Sequence, residues 1–204
     1  PSMRKYRMKQ VDVFTDRPLA GNPLAVFLNG EGLSSQDMQA IAREMNLSET
    51  TFVLPPAKQE ADYKVRIFTP LKEIPFAGHP SIGTAHALVE EGRIRLEGRA
   101  TMVHQEVGIG VLPIEIEKTT GGGYEITMTQ GEPRFGRTFT RLEDIAAALG
   151  IRVDDIGCDS LPVQVSSTGL DQLMVPLRSL EIAATLAPEP ERLKELERNL
   201  GATG

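Results

Sequence analysis

The segment from Pro80 to Glu91 constrains the fold most strongly, because it predicts a helix without a polar face. Its body, Ser81 to Val89, holds small and apolar side chains and one histidine, but no charged residue. Proline is tolerated at the first position of a helix, and Gly92 fits a helix stop. A helix with no polar face is surrounded by protein. We therefore expect the chain to fold around this segment.

The start of the predicted helix is also a candidate binding site. Gly78 lets the backbone approach a ligand closely, and the free amides of Ser81 and Ile82 point toward it with the positive end of the helix dipole. A carboxylate is the simplest anion to bind there. The alternative is a glycine-tightened turn that only leads into a core helix.

Runs rich in β-branched and aromatic residues on both sides of this helix predict strands. In chain order they are Tyr6–Phe14, Leu24–Leu28, Thr50–Leu54, Tyr63–Phe68, Arg93–Leu96, Thr101–Val107 and Val111–Glu117. A capping box at Ser34 and Asp37 predicts an amphipathic helix over residues 35–45, which Asn46 can end in a left-handed conformation. Six or more strands around one apolar helix favour an α+β fold whose curled sheet encloses the helix.

Three successive glycines, Gly121–Gly123, predict a joint between two domains, 1–119 and 124–204. The pattern then partly repeats, with strands at Tyr124–Thr129, Pro162–Ser167 and Leu173–Leu177 and a helix from Thr140 that ends at Gly150. The last predicted helix, Glu189–Leu200, is too highly charged to be a core helix. We therefore expect the second copy to be incomplete.

Composition argues against several classes of function. The net charge of -6 and a pI near 5.2 disfavour binding to nucleic-acid backbones. No apolar run reaches the length of a membrane span and no signal-peptide core is visible, so we expect a cytoplasmic protein that binds no membrane. Cys158 is the only cysteine, which excludes an internal disulfide and a Cys-x-x-Cys site.

Five motifs resemble, in order and spacing, the family of the phenazine-biosynthesis isomerase (PhzF-like), which is similar in fold to diaminopimelate epimerase. They are Val11–Thr15 with Pro18, Gly21–Phe27, Met45–Val53, Arg66–Pro70 and Phe76–Ala85. The resemblance covers Val11 to about Gly92 strongly and Val165–Leu177 moderately. It implies a curled, mostly antiparallel sheet or barrel around a central buried helix, with an incomplete second copy. Because family members run on for about half a domain more, we expect a truncated or naturally shortened member.

The resemblance assigns proton transfer to two residues. Glu49 stands in the Asn-Leu-Ser-Glu-Thr motif at the position of the family's general acid and base, and partial burial in an apolar cleft would suit it to that work. His79 stands in the Gly-His-Pro motif, whose histidine lines the substrate pocket and assists. Without the resemblance, Glu49 reads as an exposed loop carboxylate and His79 as a helix-capping histidine.

Substrate binding is expected at the same helix start. Gly78, Ser81 and Ile82 would hold the anionic group of the substrate through backbone amides and the hydroxyl. Asn22, in the Gly-Asn-Pro turn, is a weaker candidate that otherwise only shapes the turn. The family's aspartate, glycine and serine from a second helix start have no counterpart in this sequence.

The expected function is a cofactor-independent isomerase or epimerase of a small carboxylic acid, in which a proton is abstracted and returned. The single cysteine excludes the two-cysteine racemase mechanism. We expect no metal, since His86 is assigned to the core and His104 has no acidic or histidine partner nearby in sequence. The expected partners are a small carboxylate metabolite and a second copy of the chain in a homodimer. The alternative is a catalytically silent family member that binds a metabolite or a protein partner.

Overall fold

The structure is a computed structural model in which residues 4–157 and 160–202 are described. The chain forms two compact units, Pro1–Gln130 and Gly131–Gly204. Cys158 lies outside the described residues. Within the described part of the chain, no helix is long and apolar enough to cross a membrane.

The first unit is one sheet of eight strands with two helices. Its elements are β1 (Met8–Val13), β2 (Asn22–Phe27), α1 (Ser35–Met45), β3 (Glu49–Leu54), β4 (Tyr63–Phe68), β5 (Glu73–Ile74), α2 (Gly78–Glu90), β6 (Ala100–Val107), β7 (Gly110–Lys118) and β8 (Tyr124–Met128). The strand order is β1-β2-β3-β4-β6-β7-β8, and β5 pairs with β4. The pairs β2/β3 and β4/β6 are parallel and the others are antiparallel. The predicted mostly antiparallel sheet is confirmed.

Helix α2 is the core of this unit, as the sequence predicted. It contacts β1, β2, β3 and β4 and also β8, so the sheet curls until both of its edge strands touch the helix. The buried residues of α2 are Pro80, Ser81, Gly83, Thr84, Ala85, Ala87 and Leu88. A Cβ atom built on Gly83 would lie 2.7 Å from Leu24 Cδ2 and 2.7 Å from Val13 Cγ2. The backbone of α2 therefore lies against β1 and β2 with no room for a side chain.

Helix α1 packs near Phe52 in a second apolar cluster, and both of its predicted ends are confirmed. The Ser34 side chain accepts a hydrogen bond from the Asp37 amide while the Asp37 carboxylate accepts one from the Ser34 amide. Asn46 ends the helix with φ 51°. Phe52 packs with Met38 and Ala42 of the helix, whereas its neighbour Val53 belongs to the cluster around α2. Alternate residues of β3 thus pack in the separate apolar clusters of the two helices.

The glycine run lies in a hairpin turn rather than at a joint between domains. Strands β7 and β8 pair from Ile114–Met128 to Lys118–Tyr124, and Gly122 supplies the left-handed turn conformation with φ 86°. The compact units divide between Gln130 and Gly131, later than the sequence suggested, because β8 pairs within the first sheet.

The predicted strand Arg93–Leu96 is wrong. This segment is irregular, and the amides of Arg93 and Ile94 both donate to the carbonyl of Leu88. Gly92 takes the left-handed conformation with φ 68°, so the chain turns back onto the end of α2 instead of extending. Its β-branched residue, Ile94, is buried in the cluster around α2 rather than in a strand.

The described residues of the second unit form a three-stranded sheet and three short α-helices. Its elements are β9 (Arg134–Thr138), α3 (Leu142–Leu149), a 3₁₀ turn (Val153–Asp155), β10 (Gln164–Ser167), β11 (Asp171–Met174), α4 (Leu180–Ala184) and α5 (Pro190–Leu200). The antiparallel order is β11-β10-β9. Helices α3 and α5 pack together through a cluster that includes Ile145 and Leu196, and α5 lies at the surface as predicted. Phe135, Leu161 and Met174 remain exposed around a depression of about 510 Å³.

Candidate active site

Glu49 is placed by the pairing of β3 with its two neighbours. It is the first residue of β3, four residues after Met45 at the end of α1, and it lies beside Leu24 of the parallel strand β2. Side chains alternate along a strand, so Glu49 shares a face with Thr51. Thr51 contacts Thr84 of α2, which shows that this face points toward the central helix.

His79 lies in the first turn of α2 and meets Glu49 there. The Nε2 atom of His79 is 3.2 Å from Oε2 of Glu49, and the two side chains are 12% and 17% exposed. The contact is close but not aligned as a hydrogen bond, and neither atom has another hydrogen-bond partner among the described residues. Buried polar atoms without a partner are rare and often mark catalytic groups. The resemblance assigned both residues to one site, and the structure brings them together.

The pKa of His79 is lowered from its ordinary value. Burial is the main cause because it disfavours the charged imidazolium, and the neighbouring Glu49 carboxylate opposes this effect only in part. His79 is therefore a neutral imidazole at neutral pH. In that state one ring nitrogen can donate a hydrogen bond while the other accepts one.

The helix begins two residues earlier than the sequence predicted, which changes the set of free amides. Its N-cap is Ala77, with no side-chain cap, so the amides without an intrahelical partner include those of Gly78 and His79. Ser81 and Ile82 lie beyond them, and the buried Ser81 hydroxyl donates back to the Ala77 carbonyl at 3.0 Å. The free amides that we predicted at Ser81 and Ile82 therefore belong to Gly78 and His79.

The space in front of this turn suits a small anion. A Cβ atom built on Gly78 would meet only the Gln130 side chain, at 3.6 Å. The first turn of α2 carries no acidic residue of its own, and the carboxylate beside it is that of Glu49. The amides of Gly78 and His79, and the positive end of the helix dipole, therefore lie at the turn that also brings His79 to Glu49.

Asn22 lies at the same end of the sheet as Glu49. It is the first residue of β2, two residues before Leu24, whose partner across the parallel pair is Glu49. Its side chain is exposed, and its backbone pairs with Val13. The structure thus places Asn22 at the start of a strand rather than in a turn, and among the described residues no hydrogen bond joins its side chain to Glu49 or His79.

The other histidines lie apart from this pair. His86 is only half-buried, and its Nδ1 atom lies 2.9 Å from the hydroxyl of Tyr124, which donates to Glu90. The assignment of His86 to the core is therefore wrong, because it faces the side of α2 that β8 only partly covers. His104 lies 3.7 Å from Asp62, a partner distant in sequence. Within residues 4–157 and 160–202, no group of three or more potential metal ligands is present.

Sequence reasoning missed the residues that support the start of α2. Gln105 of β6 is completely buried, and its side-chain amide donates to the Ser81 carbonyl at 3.3 Å and to the Tyr63 hydroxyl at 3.1 Å. The available signal was the polar run His104, Gln105 and Glu106 inside an otherwise apolar strand, since a polar residue at an inward position needs a partner.

Comparison with protein families gives one match that spans nearly the whole chain. Residues 11–203 match the family PhzC-PhzF, described as phenazine biosynthesis-like protein. The chain belongs to this family. The resemblance seen in the five motifs is thereby confirmed, and it extends through the second unit.

Named PhzC-PhzF relatives and solved structures agree with this membership. An uncharacterized isomerase of Clostridium acetobutylicum is 34% identical over 204 residues, which cover 99% of this chain and 66% of that protein. The trans-2,3-dihydro-3-hydroxyanthranilate isomerase of Pseudomonas aeruginosa is 38% identical over 191 residues, or 92% of this chain and 63% of that protein. The crystal structure of the Bacillus anthracis PhzF-family protein is 34% identical with a TM-score of 0.80, covering 95% of this chain and 64% of that one. The chain thus spans somewhat less than two thirds of these relatives' length.

Proposed function

We propose that this chain provides the acid–base centre of a cofactor-independent isomerase that acts on a small carboxylic acid. The observation that carries the proposal is the half-enclosed Glu49–His79 pair, whose facing atoms lie 3.2 Å apart and have no other hydrogen-bond partner in the described part of the chain. A general base needs a site where the proton of a substrate comes within hydrogen-bond reach. The open amides of Gly78 and His79 would hold the substrate carboxylate next to that site.

The proposed reaction conserves all atoms. The Glu49 carboxylate takes a proton from a carbon of the substrate, and the electron pair of that C–H bond moves into the adjacent π system or carbonyl group. Glu49 then returns the proton to a different carbon on the same face, or to the other face of the same carbon once the planar intermediate has turned over in the site. The neutral His79 would donate a hydrogen bond that orients the carboxylate and balances its charge through the cycle.

The relatives' names support this class of reaction. Two of the similar proteins are called isomerases, and one of them is named for trans-2,3-dihydro-3-hydroxyanthranilate, which carries a carboxylate. That compound is accordingly the first substrate to test. A catalytically silent chain that binds the same acids is the alternative.

The test is product formation by the chain itself. Wild-type protein and the variants Glu49→Gln and Glu44→Gln are incubated with trans-2,3-dihydro-3-hydroxyanthranilate and with single enantiomers of small hydroxy and amino acids. New isomers are separated by chiral chromatography. Glu44 is exposed on α1 and serves as the matched carboxylate control.

We expect wild type and Glu44→Gln to form product from at least one acid and Glu49→Gln to be slower by at least about 100-fold. If no acid is converted by wild type although one binds in calorimetry, the silent alternative is correct. If Glu49→Gln retains wild-type turnover, the assignment of the base is wrong.

A further inference from the structure

Two buried threonines connect β3 to α2 close in sequence to the Glu49–His79 pair, two residues after Glu49 and five residues after His79. Thr51 and Thr84 are both completely buried, and their Oγ1 atoms lie 2.9 Å apart. Thr84 Oγ1 also donates to the carbonyl of Pro80 at 2.7 Å. The three residues form one chain of hydrogen bonds from the strand to the first turn of the helix.

The direction of these hydrogen bonds follows from the chemistry of the groups. A carbonyl oxygen only accepts, so the single hydroxyl proton of Thr84 is used on Pro80. Thr84 must then accept from Thr51, whose own proton is directed at the helix. This chain of hydrogen bonds, which we call the relay, therefore runs from Thr51 through Thr84 to the Pro80 carbonyl. Its protons can be arranged in only one way.

The relay ends next to the candidate site on both sides. Thr51 follows Glu49 by two residues on the same face of β3, roughly 7 Å along the strand. Pro80 directly follows His79. The hydrogen bonds that link Thr51 to Thr84 and Thr84 to Pro80 therefore fix the spacing of the two backbones that present Glu49 and His79.

We propose that Thr51 is a positioning residue, which through Thr84 and Pro80 holds the first turn of α2 at the distance that brings His79 to Glu49. The expected effect on the rate rests on the proposed function, whereas the expected effect on the alignment of His79 does not. Thr51 does not touch the substrate. Its hydroxyl therefore governs how well the pair is aligned, and misplacement of about 1 Å can cost about 100-fold in rate.

The chain offers a matched control in the neighbouring residue. Thr50 is also completely buried and has the same side chain, but it points to the other face of β3, and its hydroxyl has no partner among the described residues. Thr51→Val and Thr50→Val remove the same atom from the same strand. Only the first change breaks the relay.

Thr51→Val is also the milder way to break the relay. Thr84 keeps its bond to Pro80 in this variant, so no donor is left without an acceptor. Thr84→Val would instead leave the buried Thr51 hydroxyl without an acceptor, which is more costly, whereas the Pro80 carbonyl would keep the backbone amide of residue 84 as its helical partner. Thr51→Ser keeps the hydroxyl and should restore what Thr51→Val loses.

The experiment measures the alignment of His79 and the rate separately. The ring ¹⁵N chemical shifts of His79 at neutral pH report its tautomer and its hydrogen bonding, and they require no substrate. We expect them to change in Thr51→Val, to remain in Thr50→Val and to return in Thr51→Ser. With a substrate from the preceding test, kcat should fall about 10- to 100-fold in Thr51→Val while KM stays within about twofold.

The outcomes separate this inference from the proposed function. If wild type converts no acid but the His79 shifts change only in Thr51→Val, the positioning role stands and the proposed function fails. If Thr51→Val keeps the wild-type shifts, the inference is overturned, whatever the activity. Equal changes in Thr50→Val and Thr51→Val, or no rescue by Thr51→Ser, would also overturn it because they would indicate a general loosening of the strand.

Discussion

The close approach of α2 to the sheet makes a sharp prediction for Gly83→Ala. The added Cβ would lie 2.7 Å from carbon atoms of Leu24 and Val13 and 3.3 Å from Val11. The first two separations are about 0.8 Å shorter than the lower end of favourable carbon contacts. Leu24 and Val13 are 0% and 5% exposed, so neither side chain can swing into solvent.

Two opposing contributions decide how Gly83→Ala changes the free energy of unfolding. Gly→Ala in a helix interior normally stabilises by about 1 kcal/mol. Overpacking a tight core by one methyl-sized group costs about 1–3 kcal/mol. We therefore expect Gly83→Ala to lower the free energy of unfolding of the first unit by about 1 kcal/mol, against the usual sign of the substitution.

The assay is urea unfolding followed by tyrosine fluorescence. The chain has no tryptophan, and its three tyrosines, Tyr6, Tyr63 and Tyr124, all lie in the first unit, so the signal reports that unit. Gly121→Ala is the control, because nothing lies within 4 Å of a Cβ at that position and its backbone is not left-handed. Its effect should stay within about 0.5 kcal/mol. A stabilisation of Gly83→Ala by about 1 kcal/mol would refute a helix enclosed by the sheet.

Three further predictions concern the same unit. Leu88→Ala removes a side chain that is 1% exposed, so it should lower the free energy of unfolding by about 2–5 kcal/mol in the same urea assay. Because burial lowers the pKa of His79, the unfolded chain binds a proton there first as the pH falls below about 6.5. The free energy of unfolding should therefore decrease as the pH decreases through that range. Thermal melts at several pH values should show a weaker dependence of stability on pH in His79→Gln than in wild type. Burial alone would raise the pKa of Glu106, but hydrogen bonds from Lys64 and two backbone amides outweigh it and lower the pKa. Stability from Glu106 is thus present above the carboxylate's ordinary pKa and lost as the pH falls through its lowered value, and Glu106→Gln should remove that acid-sensitive component from the melts.

Local sequence signals predicted the helices of the first unit well. The capping box at Ser34 and the left-handed Asn46 bound α1 correctly, because capping depends on residues within one turn. The apolar composition of α2 predicted its central position, since no other placement buries such a helix. These features needed no knowledge of distant partners.

The errors arose where distant partners decide the outcome. A glycine run suits both a linker and a hairpin turn, and only the pairing of β7 with β8 selects the turn at Gly121–Gly123. Strand β9, Arg134–Thr138, was missed because all five of its residues are exposed and show no apolar alternation. Ile94 was assigned to a strand by its side chain, although the end of α2 folds that segment back.

The candidate site was predictable only in part. Glu49 and His79 are thirty residues apart, and no periodicity connects them. Only the family motifs assigned both residues to one site. The helix start moved by two residues, which transferred the free amides to Gly78 and His79. The Thr51–Thr84 bond gave no sequence signal, because threonine is ordinary in a strand and tolerated in a helix.

Solvent exchange at carbon tests the central claim most directly. Each acid from the product assay is dissolved in deuterated water with wild type, Glu49→Gln or Glu44→Gln, and the C–H signals are followed by proton NMR. The account predicts that at least one C–H signal disappears with wild type and Glu44→Gln but persists with Glu49→Gln. Exchange at the same rate in all three proteins would contradict it, as would the persistence of every C–H signal with wild type.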